Sequence, residues 1–440
     1  MKKKTWIIVG LLAALAMTAG LVMAQGQEAA KPGASAPEAA KAAPAPEAAK
    51  PAPPAAKEAP VPAKPKAPEA AKAAPGAGKK SKLEDAIASA PAGKGKGQID
   101  PQAPKGFMGI PGAPSHFWLF YILWGMWVGW IFSSVGAFGG IMAGVGHITV
   151  FGLADYAAGF KKTAPVMNKL LTDSIRVCNM YLVGLSAIIS SVTYYRMGRL
   201  VLPLGACLAG GGILAGYLIP MLTAGKLDVS VYVGFFGLIV FAVAFVLFYE
   251  TTPKGQESRK AARAAAKAFE DTHIKKLAAA EKVPAAAMGV RLTHLGISRV
   301  KFTFYGVEFS FNPIWPILGG FVINGISAFI GVGGGFLYVP FLTSVAGLPM
   351  FIVAGTSALA VLVGMITNIF TFMFVKSVPM DLVMVGTELI GIAIGSVLGP
   401  LTSKKIPEIW LKRLFVVLAI YVGVGYLTKG FMGKSILPGM

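Results

Sequence analysis

Apolar runs of about twenty residues, divided by short polar or charged joints, fill the chain from 117 to 428, and runs of that length and character read as membrane-crossing helices. One set falls at 117–135, 137–158, 177–195, 200–222 and 230–249, and a second at 313–330, 333–346, 350–375, 382–402 and 409–428. The pattern predicts an all-α membrane protein of about 8–10 transmembrane or half-spanning helices.

One stretch does not fit a single crossing. From 316 to 345 thirty residues pass without a charge, and a straight helix of that length would reach about 45 Å against a hydrocarbon core of about 30 Å. Gly331, Gly333, Gly334 and Gly335 stand midway, each costing a helix on the order of 1 kcal/mol against alanine, and Pro340 removes a further donor. The expected product is two half-helices meeting at an unwound glycine turn. Lipid cannot satisfy bare peptide groups, so such a turn must face protein or a water-filled cavity. Free amides at a helix N-terminus can hold an anion there without a basic side chain. Close packing of helices is the other use of such glycines, and the two uses are compatible.

The two sets of spans repeat one another. Gly144-Val145-Gly146-His147-Ile148 lies over Gly331-Val332-Gly333-Gly334-Gly335 at an offset of 187 residues, and Pro220 lies over Pro400 at 180. An odd number of passes in each half makes the repeats pseudo-symmetric and inverted. Counted from an external N-terminal segment, Arg196, Arg199, the basic insertion at 251–303 and the cluster Lys404, Lys405, Lys412 and Arg413 fall inside, as positive loops do. Lys161, Lys162, Lys169 and Arg176 would fall outside and oppose this.

Composition agrees with a bilayer protein: the 440 residues are 55% hydrophobic and 14% charged. A net charge of +21 would suggest nucleic acid in a soluble chain, but here it follows from basic loops, and no nucleic-acid partner is expected. Cys178 and Cys207 both sit in apolar runs and offer neither a disulfide framework nor metal spacing.

Residues 1–24 read as a signal peptide or an uncut N-terminal anchor: Lys2, Lys3 and Lys4, an apolar run, then small residues. Either way residues 25–105, rich in Ala, Pro, Lys and Glu, form an extracytoplasmic linker that cannot bury enough apolar surface to order itself. The insertion at 251–303 holds eleven basic residues, with an Ala-rich middle expected to be helical and cytoplasmic.

Candidate chemistry lies in the apolar spans. Gly144, Gly146 and the run Gly331–Gly335 offer backbone amides. Thr356 and Ser357, placed at a helix start, and Asn368, about three turns on, offer hydroxyl and amide donors to an oxyanion, or else cap and bond helices. His147 is either a proton carrier or substrate contact, or a packing histidine. Glu388, seven residues into an apolar span, is a proton-coupling candidate, or a buried carboxyl that fixes helix register. Asp173 and Arg176, one turn apart, read as an ion pair at the membrane boundary. No nucleophile, base and orienter assemble, so no enzyme, cofactor or metal site is expected.

GVGGGFLYVPFL at 331–342, followed by Gly355-Thr356-Ser357 and by Gly395 in an apolar helix, resembles the second-half signature of the sulfite exporter TauE/SafE family of bacterial multi-pass permeases. The resemblance covers about residues 117–428. It implies transport, often outward, of a small sulfur-containing anion such as sulfite or an organosulfonate. With the broken helices this makes an inner-membrane permease working by alternating access, and Glu388 makes it one coupled to protons. The first half departs from the second, with His147 and Ile148 where the second has Gly334 and Gly335, and Leu153 where it has Pro340. Another anion, a metal, or a non-transporting scaffold or sensor acting through the tail are the alternatives. Self-association is left open.

Overall fold

The computed structural model describes residues 81–135, 138–196, 198–257, 290–304, 307–344, 350–403 and 408–437. The signal segment, the linker as far as residue 80 and the Ala-rich centre of the insertion lie outside the described residues.

Residues 81–105, which the sequence assigns to the linker, carry defined structure. Helix α1 (Lys82–Ser89) starts on a capping box in which Ser81 and Glu84 bond each other's backbone amides, satisfying two donors a helix start leaves free. Phe107 and Ile110 beyond it are buried. The amide of Met108 bonds Asp381 Oδ2 at 2.7 Å, Thr163 Oγ1 bonds the Gly97 carbonyl at 2.7 Å, and Lys82 Nζ reaches the Lys376 carbonyl. Residues 81–115 are therefore a strap across the membrane domain, tied down by a few apolar anchors that the surrounding Pro, Gly and Lys conceal.

The first half comprises α2 (Trp118–Val135), α3 (Phe138–Val145, continued by a π turn Gly146–Val150), α4 (Leu153–Thr163), α5 (Pro165–Arg196), α6 (Leu202–Thr223) and α7 (Val229–Thr251). The second comprises α8 (Ile314–Ile330), α9 (Gly335–Ser344), α10 (Met350–Phe370, with a π turn Thr371–Val375), α11 (Leu382–Ser403) and α12 (Glu408–Leu427). Among the described helices five are long and apolar enough to cross a membrane, and a sixth crossing is present if the pair α3–α4, bent by 57°, counts as one. A small antiparallel sheet ends the insertion: β1 (Val290–Leu295), β2 (Val300–Phe304) and β3 (Val307–Phe311) in order β1-β2-β3. The all-α expectation thus acquires one meander just before α8.

Helices pair across the halves. α2 packs on α11, α6 on α8, α5 on α10, and α7 on α12. The α2–α11 crossing is made by glycines one turn apart on both helices, Gly125 with Gly129 and Gly391 with Gly395. A Cβ on Gly395 would stand 2.0 Å from the Met126 carbonyl oxygen, and one on Gly125 would stand 2.3 Å from that of Glu388. Backbones approach this closely in bilayers because dispersion between packed surfaces replaces a hydrophobic drive that lipid does not supply.

α5 corrects the reading of its own first third. Lys161 and Lys162 end α4, but Lys169 and Arg176, assigned to an outside loop, lie in a continuous helix that begins at Pro165. Asp173 and Arg176 are 1% and 0% exposed, so the pair is interior rather than at the boundary. The reason is local: each charge finds its partner and a helix-end peptide group without leaving the protein.

Candidate functional site

The glycine run is where the second half stops being helical. α8 closes on Gly331 at φ 77°, Gly333 stands at φ 74°, and α9 starts at Gly335. Both angles lie in the left-handed region, which side chains with a Cβ resist.

What surrounds the break is asymmetric. Every carbonyl named here at the end of α8 is taken: Ser327 by the Gly331 amide at 2.7 Å, Ala328 by Arg176 Nη2 at 2.8 Å, Ile330 by Tyr232 Oη at 3.2 Å, and Gly331 by Asn179 Nδ2 at 2.7 Å. Arg176 also donates to Asp173 Oδ1 at 2.8 Å and lies over the Phe372 ring at 4.6 Å, while Asp173 Oδ2 accepts from the Gly225 amide at 2.6 Å. A cation at the negative end of a helix is the favourable sign. The amides are left over. Among the described residues those of Val332, Gly333, Gly334, Gly335 and Phe336 make no hydrogen bond, and the first to do so are Leu337 and Tyr338, both to the Gly334 carbonyl.

The run is also closely packed. A Cβ on Gly334 would come within 2.5 Å of Ile323 Cγ2, one on Gly333 within 2.6 Å of Val183 Cγ1, and Gly140 of α3 passes against the Val332 carbonyl. Pro340 lies within α9, and its side chain is outside the described residues.

The first half breaks elsewhere than Gly144 and Gly146. α3 runs through both, takes up one extra residue as a π turn and gives way only at Gly152, φ 70°. A π bulge keeps helical amides bonded, so Gly144 and Gly146 are not free donors. They are packing positions, Gly144 beneath the Phe236 ring and Gly146 beneath the Trp124 indole, whose Nε1 would lie 2.1 Å from a Cβ there.

His147 and Glu388, 241 residues apart, meet: Nε2 to Oε2 is 3.0 Å, and both side chains are 0% exposed. Burial of an ionisable pair in a dry interior is costly unless the two share charge or a proton. Thr356, Ser357 and Asn368 stay apart from the pair. Thr356 sits in the second turn of α10, its hydroxyl accepting from the Val201 amide at 3.1 Å and donating to the Ile352 carbonyl, so it serves the start of α6. Ser357 bonds back to Ala354. Asn368 faces Asn324 at 3.3 Å, and Asn324 in turn bonds the Gly212 carbonyl at 2.6 Å, stitching α10, α8 and α6 together.

The family model described as Sulfite exporter TauE/SafE matches residues 120–426, more than two thirds of the chain. The chain belongs to the TauE/SafE family. That family is one of multi-pass membrane sulfite or anion exporters, so membership places the free amides and the buried pair inside a transporter. No curated protein and no solved structure matches the chain. The strap at 81–115 lies ahead of the matched region.

Asn179, Tyr232, Asn324 and Trp124 are not legible as site residues in the sequence. The signal for the first three is present as single polar groups within apolar spans, which seldom stay unbonded in lipid. Trp124 reads from sequence as one of several interfacial or packing tryptophans.

Proposed function

We propose that this chain is a permease for a small sulfur oxyanion, sulfite or an organosulfonate, held in transit by the free amides of residues 332–336. The observation that carries the reading is the asymmetry of the break: the carbonyl end of α8 is neutralised by Arg176, Tyr232 and Asn179, whereas the amide end of α9 is left unbonded. A packing device alone has no reason to satisfy one end and not the other, since each bare buried group costs free energy. A helix N-terminus presents about half a positive charge, enough to hold an anion whose hydration shell the site replaces.

The exchange of partners between halves, α2 with α11 and α8 with α6, supports duplicated, inverted repeats and alternating access about α5 and α10. Glu388, with His147 as its partner, carries the coupling proton, and export across a bacterial inner membrane is the working direction. The linker then lies outside the cytoplasm.

The test is flux in reconstituted vesicles with sulfite, methanesulfonate, thiosulfate and chloride, using the full chain and a chain lacking residues 25–80. Saturable movement of the sulfur oxyanions by both is expected. Chloride-only movement, or no movement by either, overturns the reading in favour of another cargo or a tail-mediated scaffold.

A further inference from the structure

We infer that Trp124 and His147 form a second oxyanion station, switched by one proton on the His147–Glu388 pair, along α3 from the glycine run. This rests on the permease reading above. Three elements converge at one junction. The Trp124 indole nitrogen lies against Gly146, the residue before His147; Gly125, the residue after Trp124, packs on the Glu388 carbonyl; and His147 Nε2 meets Glu388 Oε2 at 3.0 Å. Trp124 and His147 both contact the Phe151 ring, at 6.2 and 5.8 Å between centroids. Among the described residues Trp124 Nε1, His147 Nδ1 and Glu388 Oε1 are all buried without a hydrogen-bond partner. One bare polar atom is an oddity, but three at one junction mark a place suited to a polar ligand. The site lies about 10 Å from the glycine run, since Gly140, which touches the Val332 carbonyl, precedes His147 by seven helical residues.

The chemistry depends on the proton. With the pair unprotonated, Glu388 is a carboxylate accepting from Nε2–H, and the buried Nδ1 carries a lone pair. The charge of −1 and that lone pair both repel an anion. When Glu388 gains a proton it donates Oε2–H to Nε2, the imidazole proton resides on Nδ1, and the site is neutral with two donors, Nδ1–H and indole N–H. Two donors in a site closed to water suit two oxygens of a sulfite or sulfonate. One proton therefore accompanies one anion charge, and the two travel in the same direction, so export is driven by the anion's own outward gradient and carries a proton out with it. The other titratable groups within electrostatic reach of Glu388 are Asp381 just ahead of α11, Tyr121 on α2 and Cys178 on α5. The strap's Met108 amide bonds Asp381 Oδ2 and the Met384 amide bonds its Oδ1.

Methanesulfonate is the probe, because its charge does not change with pH. Binding to the purified full chain is measured by calorimetry at pH 5.5 and pH 8, beside sulfite flux in vesicles. The full chain is expected to bind more tightly at the lower pH. Trp124→Phe, which keeps the ring against Phe151 but removes the N–H, should weaken binding at pH 5.5 by about tenfold or more, the worth of one hydrogen bond to a charged group. Trp127→Phe, which alters a ring stacked on Trp130, should bind as the parent does. Glu388→Gln imitates the loaded state, its amide N–H donating to Nε2, and should bind equally at both pH values. Parent-like binding by Trp124→Phe, or a pH dependence surviving in Glu388→Gln, overturns the station while leaving the permease intact. No binding and no flux by the parent chain sinks the permease reading itself.

Discussion

Gly334→Leu should abolish sulfite flux while the protein still inserts and purifies. A Cβ at 334 already stands 2.5 Å from Ile323 Cγ2 and 3.1 Å from Tyr338 Cε2, so an isobutyl group has to displace the loop or the start of α9. Overpacking of this kind costs about 1–3 kcal/mol, occasionally more, which a large membrane domain can absorb. The geometry of five amides cannot be absorbed in the same way, because a displacement of about 1 Å at a binding site can cost on the order of 100-fold. Gly386→Leu is the control, since nothing lies within 4 Å of a Cβ there. Flux is measured on vesicles with matched protein content and matched melting temperature. Loss in Gly334→Leu with retention in Gly386→Leu is the expected result. Equal flux in both removes the glycine turn from the mechanism.

Glu388→Gln should uncouple transport rather than stop it. If one proton travels with each anion charge, a pH gradient of one unit sustains about a tenfold concentration ratio of a monovalent sulfonate across the vesicle wall. An amide in place of the carboxyl leaves the pair with no proton to exchange, and the variant should equilibrate the same sulfonate to a ratio near one whatever the gradient. The measurement is the steady-state ratio of methanesulfonate at imposed gradients of zero and one unit. A ratio that still follows the gradient assigns the proton to another group.

The spans are legible in the sequence because each is a long apolar run between polar joints, and the second-half break announces itself as glycine. The first-half break is not, since glycine is only permissive: Gly144 and Gly146 stay helical once a π turn absorbs the strain, and it is Gly152 that departs from the helix. The start of α5 is hidden because Lys169 and Arg176 look like loop residues. The i,i+3 spacing gives the Asp173–Arg176 pair, but nothing local reveals that it is buried or that Arg176 bonds the Ala328 carbonyl, 152 residues away. For the same reason His147 and Glu388 stand out one by one in the sequence but cannot be joined there. The strap is masked by composition, as its few anchors, Phe107 and Ile110 among them, are diluted by Pro, Gly and Lys.

The central claim is that unbonded peptide amides in the membrane interior grip an oxyanion, and a located ion tests it most directly. Selenite, a heavier relative of sulfite, diffused into transport-competent protein should give density about 2.7–3.2 Å from amide nitrogens of residues 332–336. Protein that carries sulfite across vesicles yet shows those amides bonded to a neighbouring helix, with selenite bound elsewhere, would contradict the account.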